Sequence, residues 1–231
     1  MRLAILILLV AGANALQADC VSGGSRLSTP DEDKFEVQTK TALQNALAGT
    51  LPQGWKAGAT PAIKAAGSYC TGDKNPIGMG YRASYENAAK KQAAFAKITP
   101  QTGSNPAEMK KITEEASFDT DVKIGLGVNS AYCGLNGSAV KKIDVPGAKL
   151  ALRSTDTDNT GGKTTTTQVC IGNWQIAKTL PTTVEASPTF PAGGARTSIR
   201  NMTINIVAEA DRADQLLKTM KLQDLESMVV K

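Results

Sequence analysis

The stretch from residue 118 to residue 172 constrains the fold more than any other part of the chain, because it alternates and turns as antiparallel strands do. Phe118, Val122, Ile124, Leu126 and Val128 fall on alternate positions with Asp119, Asp121 and Lys123 between them, the period of a strand with one buried and one wet face. Asn136-Gly137 carries the residues of a tight hairpin turn whose central positions need positive φ. Pro146-Gly147 carries those of a type II turn, and a polar loop runs from Asp156 to Gly162. These signals mark four strands over 118–133, 138–145, 148–155 and 163–172, and an antiparallel β-meander is the simplest way to join them. The expected class is α+β, with three or four helices packed on that sheet.

The four cysteines, Cys20, Cys70, Cys133 and Cys170, take their meaning from the first residues of the chain. Arg2 precedes an apolar run from Leu3 to Val10, and small residues follow to Ala13-Asn14-Ala15. That is the order of a cleavable secretory signal. The run is about half the roughly 20 apolar residues a membrane-spanning helix needs. Asp19 directly before Cys20 argues against a lipoprotein anchor. Cleavage after residue 15 leaves a single domain over 16–231, divisible into a helical half, 16–117, and a β-rich half, 118–231. The expected address is extracellular, or periplasmic or cell-surface in a bacterium, with no transmembrane segment in the mature chain.

In an oxidising compartment an even number of dispersed cysteines reads as two disulfides. Pairing strands outward from each turn of a flat meander sets Cys170 level with Asn129, four residues from Cys133. That is roughly 14 Å along the strand, beyond the Cα separation of about 7 Å that a disulfide tolerates. Cys133–Cys170 is therefore disfavoured, and Cys133 is expected to pair with Cys20 or Cys70.

Helices are announced by their caps. Thr29-Pro30-Asp31-Glu32 combines a capping threonine, a first-turn proline and a capping-box glutamate. Phe35, Thr39, Ala42, Leu43, Ala46 and Leu47 then form a helical stripe that stops at Gly49. The acidic run Asp31-Glu32-Asp33 suits the positive end of that helix dipole. A second helix is expected over 85–98, with Ala89, Ala93 and Ala96 inward, and a third from Asn105-Pro106, burying Met109, Ile112 and Ala116. The prolines and glycines of 179–195 read as a long surface loop. A strand near 199–208 then feeds a helix capped by Asp211. Leu216, Leu217 and Met220 lie on one side of that helix, and Leu222, Leu225 and Val229 about 150° round. The helix must break near Lys221, or residues 216–230 would need a partner and self-associate.

The chain contains no histidine, which removes Ser-His-Asp and Cys-His nucleophilic sites and histidine-based metal centres. An enzyme would then rest on a carboxylate pair acting on extracellular glycans, drawn from Glu114, Glu115, Asp119, Asp121 and Glu185, with Trp55 or Trp174 as a sugar platform. Asp156-Thr157-Asp158-Asn159-Thr160-Gly161 resembles the front of a calcium loop, making Asp156 and Asp158 candidate ligands for weak Ca2+ binding. Thr167 stands where a bidentate glutamate belongs. Gly161-Gly162-Lys163-Thr164 imitates the end of a phosphate-binding loop, but the threonines that follow read as strand. Asn136-Gly137-Ser138 and Asn201-Met202-Thr203 match the N-glycosylation pattern if the source is eukaryotic.

Loss of the signal leaves 25 basic residues against 21 acidic ones, a net charge of +4. The doublets Lys90-Lys91, Lys110-Lys111 and Lys141-Lys142 are dispersed along the sequence. That excludes a dedicated nucleic-acid binder and leaves weak polyanion binding as a minor alternative. The leading expectation is an exported, non-enzymatic binding or surface-structural protein with no cofactor and an extracellular ligand or protein as its partner.

Overall fold

The structure is a computed structural model that describes residues 20, 23–47, 54–117, 120–157, 163–189 and 194–230. The signal segment 1–15, Gly49, Phe118, Asp119, Asp158 and Gly161-Gly162 lie outside them. The element order is β1 (Ser25–Leu27), α1 (Pro30–Leu47), β2 (Lys56–Ala57), β3 (Ser68–Cys70), β4 (Met79–Glu86), α2 (Ala88–Phe95), α3 (Pro100–Gly103), α4 (Pro106–Ser117), β5 (Asp121–Val128) and β6 (Cys133–Asn136). There follow β7 (Val140–Lys142), β8 (Leu150–Thr157), β9 (Lys163–Gly172), β10 (Trp174–Leu180), β11 (Thr183–Pro188), β12 (Asn201–Val207), α5 (Ala210–Thr219) and α6 (Leu222–Ser227). The chain is α+β, and every strand pair among these elements is antiparallel. Among the described residues, four of the six helices have eight or more residues.

Seven strands form the main sheet in the order β2-β4-β5-β12-β9-β8-β7. The expected meander survives only as β7-β8-β9. Strand β12 arrives from far along the chain and separates β5 from β9, pairing Ile204 with Leu126 on one side and Val169 on the other. Strand β4, from the first half of the chain, pairs along the whole of β5, so the sheet is continuous across the division at 117/118.

The period-two pattern decides which face is buried. Val122, Ile124, Leu126 and Val128 of β5 and Met202, Ile204 and Ile206 of β12 point to one side. There they meet Leu43, Ala46 and Leu47 of α1, Leu216 and Leu217 of α5, and Leu225 of α6. Helix α5 ends at Thr219 and α6 begins at Leu222. The break near Lys221 turns Leu225 and Val229 into the core, 1% and 8% exposed. The condition that called for self-association through 216–230 is thereby removed.

After β5 the chain leaves the main sheet at Asn129, which has φ of 51°. Its buried side chain holds the exit: Nδ2 donates to the carbonyls of Ile77 and Ser198, and Oδ1 accepts from the Arg200 amide. Strand β6 then joins a three-stranded sheet, β10-β11-β6. This smaller sheet covers the second face of β8 and β9, enclosing Cys133, Leu135, Leu150, Leu152, Cys170, Trp174, Val184 and Ala186. Two expectations are corrected here. Asn136-Gly137 is no hairpin turn: neither residue has positive φ, and the Gly137 amide donates to Thr182, extending the β6–β11 pairing. The segment 179–195 is not one long loop either. Pro181 occupies the turn of the β10–β11 hairpin, and Pro188 ends β11 beyond the four residues that pair with β6, where a missing N–H costs no ladder bond. By contrast, Pro146-Gly147 forms the expected type II turn, with Gly147 at φ of 82° and the Ala148 amide bonded to the Val145 carbonyl at 3.0 Å.

The crossover into a second sheet also overturns the disulfide expectation. Cys133 lies above Cys170, not beside it at a distance of several strands, and the two are bonded with Cα atoms 6.0 Å apart. Cys20 pairs with Cys70 and staples the start of the described chain to the β1–β3 ribbon.

Helices α2, α3 and α4 form an insertion between β4 and β5, closed at its base by the Asn87 amide donating to the Thr120 carbonyl. Helix α4 buries Ile112 and Ala116 as expected. Helix α2 does not follow its expected stripe: Ala89, Ala93 and Ala96 are exposed and Ala94 is buried. Strand β4 runs to Glu86, so α2 starts three residues later than the sequence pattern implied and presents a different face.

Candidate functional site

A shallow groove of about 430 Å³ lies beside α1. Phe35, Gln38, Thr39 and Ala42 form one wall, an arrangement set by helical spacing. Thr197, Ser198, Ile199, Met228 and Val230 form the other. That second wall is held by a parallel bridge between Ile199 and Val229 and by the Val230 amide donating to the Ile199 carbonyl at 2.8 Å. Hydroxyl, amide and apolar groups line the groove, and every side chain in it is uncharged at neutral pH.

At the start of α1 stands a charged cluster that the sequence reading undervalued. The capping box forms as expected, Glu32 receiving the Thr29 amide and returning its own amide to the Thr29 hydroxyl. Glu32 is also 4% exposed and accepts from Arg26 at 2.6 and 2.8 Å and from Arg196 at 3.0 Å. The Arg26 hydrogen bonds hold its carboxyl far below the usual carboxylate range against the opposing effect of burial. Both guanidinium groups lie over the Tyr69 ring, 5.7 and 5.2 Å from its centre. Burial, with the charge of Glu36 next, pushes the Tyr69 phenol up. Arg196 reaches on to the Asp73 carboxylate and the Asn75 carbonyl, and buried Glu36 accepts from the Ala66 amide. The cluster ties the β1–β3 ribbon, α1 and the segment entering β12 into one unit. Arg196 lies 164 residues from Glu32, so no local pattern could have revealed it; Glu32 and Glu36 falling on the stripe of Thr39 and Leu43 was the available hint.

The carboxylates singled out for catalysis are placed on separate elements. Glu114 pairs with Lys110 and Glu115 with Lys97 on the helical insertion, while Asp121 shares Lys91 with Glu86 at the edge of β4 and β5. Glu185 lies on β11, opposite Lys178 and Gly134. Asp119 is outside the described residues. Both tryptophans are core residues on different sides of the sheet. Trp55 is covered by the Arg212 guanidinium, 5.0 Å from its ring centre, and the Trp174 indole donates to the Ile171 carbonyl at 3.0 Å.

Asp156 accepts from the Ser138 amide at 2.8 Å and the Ser154 hydroxyl at 3.4 Å. It thus fastens β8 to the turn after β6, and its calcium partner Asp158 is not described. Among the described residues no three His, Cys, Asp or Glu side chains gather as a metal site. Asn136 is exposed at the end of β6. Asn201 is 0% exposed, its Oδ1 accepting from the Ser130 amide and its Nδ2 donating to the Ser130 carbonyl. Burial and these bonds set its glycosylation pattern apart from that of exposed Asn136 in the folded chain. Two lysine doublets, on α2 and α4, come together on the insertion, but Lys91, Lys97 and Lys110 are all ion-paired there. No described helix is long and apolar enough to cross a membrane. Comparison with protein-family models, with curated proteins and with solved structures finds no match.

Proposed function

We propose that this chain is an exported, disulfide-stapled, non-enzymatic binding domain that takes an uncharged ligand group into the groove beside α1. The observation that carries this reading is the groove's lining, which offers hydroxyl and amide groups for orientation over apolar carbon, the usual division of labour in a ligand site. Its walls are fixed by α1 and by the bridged 197–199 segment, both anchored in the main core. Of the acids considered for glycan hydrolysis, Glu114, Glu115 and Asp121 each hold a lysine and Glu185 a place in a strand ladder, and Trp55 and Trp174 serve packing. Two disulfides accord with an oxidising address, to which the first fifteen residues would direct the chain. Asn136 remains the candidate glycosylation site.

The test is a methyl NMR screen with a mixture of uncharged fragments, each carrying an amide or hydroxyl on a hydrocarbon body. Expected are saturable shifts at Ala42, Ile199, Met228 and Val230 that vanish in Ala42→Trp, where the larger side chain fills the groove. Shifts unaffected by that substitution would refute the groove. Hydrolysis of a polysaccharide panel that is lost in Glu114→Gln or Glu185→Gln would refute the non-enzymatic reading.

A further inference from the structure

Strand β4 is a sheet edge for most of its length. Its pairing with β2 covers Tyr85 and Glu86, and one further bond, from the Gly58 amide to the Ser84 carbonyl at 2.7 Å, extends it. Residues 79–83 pair with β5 alone among the described strands. An antiparallel strand turns the N–H and C=O groups of alternate residues to the same neighbour, so Arg82 and Gly80 follow Ser84 and present theirs on the open side. Gly80 brings no side chain to shield that edge, and a Cβ built there would meet only the Leu126 carbonyl, at 3.4 Å. The chain leaving β2 does not continue the ladder. Pro61 has no N–H to give, and the Lys64 carbonyl accepts from Lys40 Nζ on α1 at 2.6 Å.

A pocket of about 150 Å³ lies between this departing segment, β4 and the end of α1. Tyr81, Ala83 and Tyr85 line it from β4, Gln44 and Leu47 from α1, and Pro61 from the departing chain. A cavity of about that volume holds a group the size of benzene, which is also the scale of a leucine side chain. The other face of the same edge is cationic: Arg82 and Lys123 are both exposed, and Lys123 stands opposite Ser84 on the neighbouring strand. Side chains alternate across a strand. A segment laid along residues 80–83 therefore turns the residues opposite Tyr81 and Ala83 to the pocket's side and the one opposite Arg82 to the cationic side.

We propose that residues 80–83 of β4 are a docking site for an extended segment of a partner protein, which adds a strand to the main sheet, sets an aliphatic side chain into the Tyr81 pocket and lays an acidic residue beside Arg82. Main-chain bonds to Gly80 and Arg82 hold the added strand, and the pocket selects its side chain, the division of roles by which sheet edges recognise peptides. Arg82 and Lys123 supply the complementary charge. The site shares no lining residue with the groove beside α1, so the two readings stand or fall separately.

The probe is a blocked hexapeptide of alternating leucine and aspartate, titrated into the native, disulfide-bonded protein and followed by NMR and amide hydrogen exchange. In the free protein the Gly80 and Arg82 amides exchange fast. The peptide shifts both saturably and protects them from exchange. Affinity falls at least tenfold in Ala83→Phe, which fills the pocket, and at least fivefold in Arg82→Glu, an exposed change that leaves the core intact. A peptide N-methylated at alternate residues on its bonding edge keeps the side chains and loses binding. Protection of Gly80 and Arg82 without peptide would show the edge already covered and overturn the proposal. So would a lack of saturable binding, equal binding by the N-methylated peptide, or affinity unchanged in both variants.

Discussion

Removing the two disulfides one at a time tests the two-sheet architecture directly. By loop-closure entropy alone they are nearly equal: separations of 37 and 50 residues each correspond to about 4 kcal/mol of stabilisation. Their surroundings differ. Cys133 and Cys170 are both 0% exposed and touch the core between the sheets, whereas Cys20 and Cys70 are partly exposed. Replacing the inner pair with alanine also deletes two buried sulfur atoms beside Leu150, Leu152 and Trp174, each costing roughly 1 kcal/mol, as a lost methylene does. The expected losses are therefore about 6 kcal/mol for Cys133→Ala/Cys170→Ala and about 4 kcal/mol for Cys20→Ala/Cys70→Ala, the former a large share of a domain's usual stability. Urea unfolding at pH 7 without reductant measures both. Brief treatment of the native protein with dithiothreitol and iodoacetamide, read by peptide mass, gives a second measure: Cys20 and Cys70 label first, because the inner pair waits for the small sheet to lift. Equal or greater loss from the outer pair, or earlier labelling of Cys133 and Cys170, would show that the small sheet does not cover β8 and β9 as described.

Glu32→Gln is expected to cost roughly 2–3 kcal/mol at pH 7, less than a fully buried pair because Arg26 is a third exposed. Since the folded carboxyl is held below its unfolded value of about 4.3, that contribution is complete above pH 4.3 and is lost as the pH falls further. Urea midpoints of wild type and variant should draw together as the pH is lowered from about 4.3 towards 2.5, and a constant gap over that range would contradict the arrangement around Glu32. Expressed in a host that attaches N-glycans, the protein should carry sugar on Asn136 alone, as glycopeptide mapping would read. Occupancy of Asn201 in folded protein is incompatible with its bonds to Ser130.

What the sequence disclosed was local. Thr29 and Asn105 mark the starts of α1 and α4 because a cap needs only its own next three residues. The alternation of Val122 to Val128 marks β5 because burial of one sheet face enforces it. What stayed hidden depended on distant partners. Strand β10 has no legible alternation because, as the free edge of the small sheet, all its residues but Trp174 are exposed. Strand β11 was obscured by Pro181 and Pro188, both at its limits, though Val184 and Ala186 alternate correctly inside it. Asn136-Gly137 misled because β6 has its partner almost fifty residues later, not across a turn. The same departure from a flat sheet made Cys133–Cys170 look impossible.

The placement of β12 sets an order of events. The strand at the middle of the main sheet is synthesised after every other described strand, and both β5 and β9 complete their pairing only against it. Until residues 201–207 emerge, the sheet exists as two unjoined edges, and the helices that cap its apolar face, α5 and α6, follow later still. Such dependence on non-local pairing slows folding. On the proposed exported reading, that delay would be useful: the nascent protein would have no finished sheet to unravel before it crosses a translocation channel, and the cysteines would meet their oxidant before the core closes over Cys133 and Cys170.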